Sequence, residues 1–279
     1  MIDVTFLSEN KTENGAVNAE FALSMFIEAQ GKKILFDTGA STLFADSADA
    51  LGVDLAAVDF CMISHGHYDH TSGLPEFCRR NSHAPVYIHQ DAFSTFYGTT
   101  DGEIDDYNCG ITIPESELNE IRDRFILTGS EPLWLTDNMV ISGTIPEAPG
   151  FKPAEQFYKL MPDGSLAKDT MSHEQFLAIR EKDGIYLFSG CSHMGIVSAM
   201  EYARTLFPGE PFAGIIAGMH LFGASNEMRA QVIEKIAEAD PRLVVPVHCT
   251  GLAAEVMMKM KFGNRCILGA CGCHYQFGE

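Results

Sequence analysis

One stretch constrains this chain more than any other: Ser64-His65-Gly66-His67-Tyr68-Asp69-His70. Three imidazoles and a carboxylate fall within six residues, directly after the apolar run Phe60–Ser64. Imidazole and carboxylate are the donors suited to zinc, with iron or manganese next. Gly66 lets the backbone fold so that neighbouring donors can diverge. The i, i+2 spacing aims His65 and His67 at one point and leaves Asp69 and His70 for a second. A loop of this kind can hold two divalent metal ions about 3.5–4 Å apart.

The rest of the chain supplies a scaffold and more donors. Val4–Leu7, Phe21–Ile27 and Ile34–Phe36 read as early strands, with Gly31-Lys32-Lys33 as the turn between the last two. A helix is expected from Ser41/Thr42 to Leu51, another over Thr71–Arg80, and a strand over Val86–His89. Trp134–Ser142, Phe157–Met161 and Gln175–Arg180 read as further strands. Strands Ile185–Phe188, Phe212–Ala217 and Leu243–Val247 then alternate with helices Gly195–Phe207, Ser225–Ala239 and Leu252–Met260. Each of these strands runs into a loop carrying a histidine: His193, His220 and His248. In α/β proteins, ligands gather at strand C-terminal ends because the loops there converge on one rim. Strands early and β–α alternation late predict two packed sheets with helices outside. Residues 1–279 read as a single domain, and about 91–133, acidic and weakly periodic, as an insertion or lid.

The motif Ile34-Leu35-Phe36-Asp37-Thr38-Gly39, the His65–His70 loop, Ser189-Gly190-Cys191-Ser192-His193, Gly218-Met219-His220-Leu221 and His248-Cys249-Thr250-Gly251 carry a resemblance to a known family. The chain resembles the metallo-β-lactamase superfamily. It is most similar to the branch that includes the dihydropterin–ribofuranosylaminobenzene-phosphate synthases. The resemblance implies an α/β (α+β) fold, an αβ/βα sandwich of two mixed sheets flanked by helices, with a dinuclear metal site at the sheet edge. It also implies that His65 and His67 bind one metal, that Asp69, His70 and His248 bind the other, and that Asp37 orients a ligand from beneath. The family's intermediate histidine has no counterpart in residues 142–150, which makes His193 the candidate for that ligand. Cys191 stands near the family's bridging carboxylate. His220, on the same rim, is expected to face substrate or transfer a proton.

Charge narrows the partners. With 19 Lys and Arg against 38 Asp and Glu, the net charge is −19, which repels nucleic acid and anionic membranes. No apolar run approaches the ~18 residues of a membrane helix. The first residues read as a strand rather than a signal peptide, so a cytoplasmic protein acting on a small molecule is expected. The eight cysteines are too sparse for a disulfide framework. Cys271-Gly-Cys273-His274 resembles a metal cluster but lacks the paired spacing of a structural zinc site. The expected activity is hydrolysis of an ester, lactone or phosphoester by metal-activated water, with Asp69 and His220 handling protons. One alternative is a transferase acting on a pterin-like diphosphate; another is a diiron redox protein. Residues 91–133 and loop Gly143–Gln156 are expected to set specificity, with Phe93, Phe96, Tyr97, Tyr107 and Phe151 as candidate pocket residues.

Overall fold

A computed structural model describes residues 1–153 and 155–278. The first sheet has seven strands, in the order His274–Phe277, Ile2–Ser8, Ser24–Ala29, Lys32–Phe36, Phe60–Met62, Val86–His89, Phe125–Thr128. The second has six: Leu133–Thr136, Met139–Ile141, Leu177–Glu181, Gly184–Ser189, Phe212–Gly218, Leu243–Val247. Both are mixed. Pairing is antiparallel through Lys32–Phe36 and parallel beyond it in the first sheet. It is antiparallel through Gly184–Ser189 and parallel beyond it in the second.

Side-chain alternation divides each strand between two cores. Tyr186 and Phe188 point inward to meet Phe6, Ile27, Phe36 and Met62 of the first sheet. Ile185 and Leu187 point outward, onto helices Ile196–Leu206 and Asn226–Glu238. On the opposite side, Leu35, Cys61 and Ile63 pack against helices Leu43–Leu51 and Leu74–Arg80. The layers are therefore helix, sheet, sheet, helix, as the resemblance implied. Strands Gly184–Ser189 and Phe212–Gly218 are buried at every position, as expected of parallel strands covered on both faces.

Several elements differ from the sequence expectation. Trp134–Ser142 is a hairpin of two strands, and the helix expected over Thr71–Arg80 begins at Leu74, after a separate helical turn Tyr68–Thr71. Phe125–Thr128, inside the stretch read as an insertion, pairs in parallel with Val86–His89 and is the last strand of the first sheet. The excursion from the scaffold thus ends before it. Its alternation is weak because Ile126 and Leu127 are both exposed on an edge strand. Among the described residues, no helix is long and apolar enough to cross a membrane.

Candidate metal centre

The parallel strands of both sheets end at one edge, and the loops there carry the expected donors. Several of these loop residues take left-handed backbone angles that side chains rarely adopt: Asp37, Ser192, His220 and His248 have φ between 47° and 58°. Such conformations persist only where the surroundings hold them. Close approach also selects glycine twice. A Cβ on Gly66 would collide with the Ala92 carbonyl oxygen, and one on Gly190 would collide with Ser64 Oγ.

The structure brings His65, His67 and His193 into a near-equilateral triangle. Their ring centroids are 4.6, 4.8 and 4.9 Å apart. A second group lies beside it, made of Asp69, His70, Cys191 and His248. Asp69 Oδ2 is 3.2 Å from His248 Nε2 and 3.7 Å from His70 Nε2, and Cys191 Sγ is 3.1 Å from His70 Nε2. In each group the candidate donor atoms lie within 4.8 Å of one another. The His65 and His70 rings, 4.2 Å apart, join the two groups. One turn of helix, Tyr68–Thr71, does the sorting: it carries Asp69 and His70 away from the point that His65 and His67 face.

Partners behind the rings decide which nitrogen is free. Asp37 Oδ2 accepts from Ser64 Oγ at 2.7 Å and from His70 Nδ1 at 2.7 Å. With its proton given to Asp37, the Ser64 hydroxyl accepts from His65 Nδ1 at 3.0 Å. His248 Nδ1 donates to Asn10 Oδ1 at 2.8 Å. In all three rings Nδ1 is thereby engaged, so Nε2 is the atom that can meet a cation. Among the described residues, His65 Nε2, His67 Nε2, His248 Nε2 and both ring nitrogens of His193 are buried without a hydrogen-bond partner. One such atom costs about 1–3 kcal/mol. Four such rings in one place, each with one lone pair to give, make sense as donors to cations, and nitrogen, carboxylate and thiol donors fit zinc.

The electrostatics separate the two groups. Burial, then neighbouring imidazoles, push His65 and His193 well below the usual histidine range. Burial and His173 push His67 down to about 3. Burial works against charge on His70 too, but Asp69 and Asp37 outweigh it and raise that ring to about 9. Asp69 is held below the usual carboxylate range because His70 and His248 outweigh its burial. Burial, then Cys249, push the Cys191 thiol well up.

His220 lies at the wall of the same site, its ring centroid 4.3 Å from that of His193. Its Nε2 pairs with Glu155, and its Nδ1 is buried without a partner among the described residues. Burial lowers its basicity, but Cys249 and Glu155 overcome this and raise it to about 10.

Several supporting residues escaped the sequence reading. Glu9 Oε1 accepts the His248 backbone N–H at 2.6 Å, and Asn10 Nδ2 donates to the His248 carbonyl at 3.1 Å. Glu174 is fully buried, and its two oxygens take the N–H groups of His193 and Met194 at 2.6 and 2.7 Å. His173 Nδ1 accepts the Gly66 N–H at 3.0 Å while its Nε2 donates to Asp169 at 3.1 Å. His173 is thus a satisfied histidine that shapes the motif loop. The available clue was the polar run His173-Glu174-Gln175 just before an apolar strand. Of the remaining histidines, His89 is satisfied by Asp91 N–H and Thr144, while His83 and His274 are exposed. Cys271 is buried and bonds to the Leu7 carbonyl at 3.2 Å, away from the donor groups.

Above the donors lies a cavity of about 670 Å³, walled by Phe157, Phe21, Phe222, Tyr107 and Glu155 among others. Of the aromatic residues expected from the sequence, Tyr107 reaches it. Phe96 is buried against His173, Phe93 packs on Phe125, and Phe151 lines a separate, smaller cavity.

Comparison with known proteins agrees with this geometry. The family model of the metallo-beta-lactamase superfamily matches residues 17–248. A 7,8-dihydropterin-6-methyl-4-(beta-D-ribofuranosyl)-aminobenzene-5'-phosphate synthase of Methanocaldococcus jannaschii is 28% identical over 256 residues, covering 88% of this chain and 85% of that protein. An uncharacterized protein of the same organism is 28% identical over 260 residues, covering 91% and 92%. The solved structure of Tm1679, described as a metal-dependent hydrolase of the beta-lactamase superfamily, superposes with a TM-score of 0.84 at 26% identity over the full length of both chains.

Proposed function

The chain belongs to the metallo-β-lactamase superfamily, and from that premise we propose a metal-dependent hydrolase of a small-molecule ester, lactone or phosphoester. One observation carries the reading: buried imidazole nitrogens without partners converge in two adjoining groups beneath a cavity. His65, His67 and His193 would hold one zinc ion; Asp69, His70 and His248, with Cys191 beside them, would hold the second. Such a pair of ions supplies hydroxide at neutral pH and positive charge opposite a developing oxyanion. The protein's own residues do the rest. Asp37 and Asn10 keep donor lone pairs aimed inward. Asp69, facing the cavity, would orient a water activated by such ions and pass its proton on. His220, steadied by Glu155 at Nε2, is placed to give a proton to the leaving group through Nδ1.

The test is elemental analysis joined to a screen of phosphoesters, lactones and thioesters. We expect two zinc ions per chain and turnover that disappears on chelation. Undiminished turnover in metal-free protein overturns the reading.

A second reading is group transfer from a pterin-like diphosphate, favoured by the synthase that is 28% identical to this chain. Product analysis with an acceptor arene or amine separates the two. A joined product supports transfer, and hydrolysis alone supports the first reading.

A further inference from the structure

The cavity has two chemically opposite ends. Its floor is the donor set: His67 and His220 line the space, and among the described residues His67 Nε2 and His220 Nδ1 are buried without a hydrogen-bond partner. Its mouth is aromatic and acidic. Phe157 covers the floor, with its ring 4.8 Å from both His67 and His193. Phe21 stands 4.7 Å from the His248 ring, and Phe222 stands 5.2 Å from the His220 ring. Phe21, Phe222 and Tyr107 are 50%, 49% and 58% exposed. Water-facing rings gathered over a cavity mark a binding surface rather than a core. Asp101, at the turn between strands Thr99–Thr100 and Glu103–Ile104, and Asp105 add carboxylates to this rim. Among the described residues, no lysine or arginine lines the cavity.

This arrangement has a direct consequence for the substrate. A phosphate at the mouth would meet carboxylates and ring faces, with no counter-charge in the lining. A positively charged nitrogen would meet both of the groups that attract it, carboxylates by Coulomb's law and ring faces through their quadrupole. Loaded with cations, the floor would be positive while the rim stays negative. We infer that the substrate is an organic cation: its reacting carbonyl or phosphoryl end enters toward the floor, and an ammonium or protonated nitrogen heterocycle remains in the aromatic, acidic mouth. This assignment rests on the hydrolase reading for the reacting end only, and the mouth can be tested without turnover.

The experiment uses the metal-loaded protein and ligand-observed nuclear magnetic resonance. Three probes share a benzyl group: benzyltrimethylammonium, its uncharged carbon isostere neopentylbenzene, and benzylphosphonate. We expect the cation to bind about tenfold more tightly than the isostere, the scale of an ammonium on aromatic faces with added carboxylates. The double variant Asp101→Asn/Asp105→Asn should shrink that ratio severalfold without weakening benzylphosphonate. Phe222→Leu, which keeps bulk and removes the ring, should also cut cation binding more than binding of the isostere. Equal affinity for the two isosteres, or a ratio unchanged in both variants, overturns the proposal. A preserved cation preference in a protein that hydrolyses nothing would overturn the hydrolase reading and leave this one standing.

Discussion

The two donor groups share a loop but not a chemistry. His65, His67 and His193 are neutral rings held by neutral or backbone contacts: the Ser64 hydroxyl for His65, and backbone N–H bonds to Glu174 for the His193 loop. Asp69, His70, Cys191 and His248 combine imidazole, carboxylate and thiol, with the Asp37 carboxylate directly behind His70. The first group is shaped by packing, the second by charge. Six residues of sequence can therefore supply donors to two groups that are expected to respond differently to protons and to mutation.

The largest effect should come from the residue that serves both groups. Asp37→Ala removes the acceptor of Ser64 and of His70 at once. We expect loss of both metal ions and destabilisation of about 3–5 kcal/mol, the scale for breaking a buried charged pair, read by elemental analysis and urea unfolding. Retention of either ion at wild-type affinity would show that the groups are independently supported.

Next, His67→Ala and His248→Ala should each lower the metal content from two ions to one, by removing a donor from opposite groups. Turnover should fall by on the order of 10³-fold in either variant if the pair of ions acts as a unit. Unequal losses would identify the group that carries the chemistry.

Smaller and more selective effects are expected behind the donors. Ser64→Ala takes the partner of His65 Nδ1, and Asn10→Ala takes that of His248 Nδ1. Each should weaken its own group about 10–100-fold, the usual scale for such supporting contacts, and metal titration should show the other group nearly unchanged.

Acidification should distinguish the groups without any mutation. In cation-free protein His70 is raised to about 9, so it holds a proton throughout the neutral range. A cation taking His70 Nε2 must displace that proton, and its affinity falls as pH drops below about 9, by up to tenfold per unit. His67, pushed down to about 3, and His65, also pushed down, carry no competing proton in that window. Dialysis through falling pH should therefore empty the second group first, and simultaneous loss would contradict the difference in charge.

Much of this was legible in the chain. The His65–His70 loop and the histidines at 193, 220 and 248 each follow a strand with a clear apolar pattern, so local periodicity was enough to put them on one rim. Cys191 was visible as a departure from the family's bridging carboxylate, although only the fold shows its sulfur 3.1 Å from His70 Nε2. The supports were not legible. Asn10 lies 238 residues from His248, and Glu155 lies 65 residues from His220. Neither asparagine nor glutamate carries a local signal that distinguishes a buried partner from a solvated side chain. Phe125–Thr128 was missed for a similar reason, since an edge strand with exposed Ile126 and Leu127 lacks the alternation that marks a half-buried one.

By itself, the sequence determined the inventory of candidate donors, the two-way division of the motif loop, the layered α/β architecture and the acidic surface. Each of these follows from side-chain chemistry and from periods of two or 3.6 residues within a short window. Only the tertiary structure decided which imidazole nitrogen stays free, which groups titrate and what lines the mouth of the cavity. A ring's tautomer and a buried group's charge depend on the atoms a few ångströms away, and here those atoms come from distant parts of the chain.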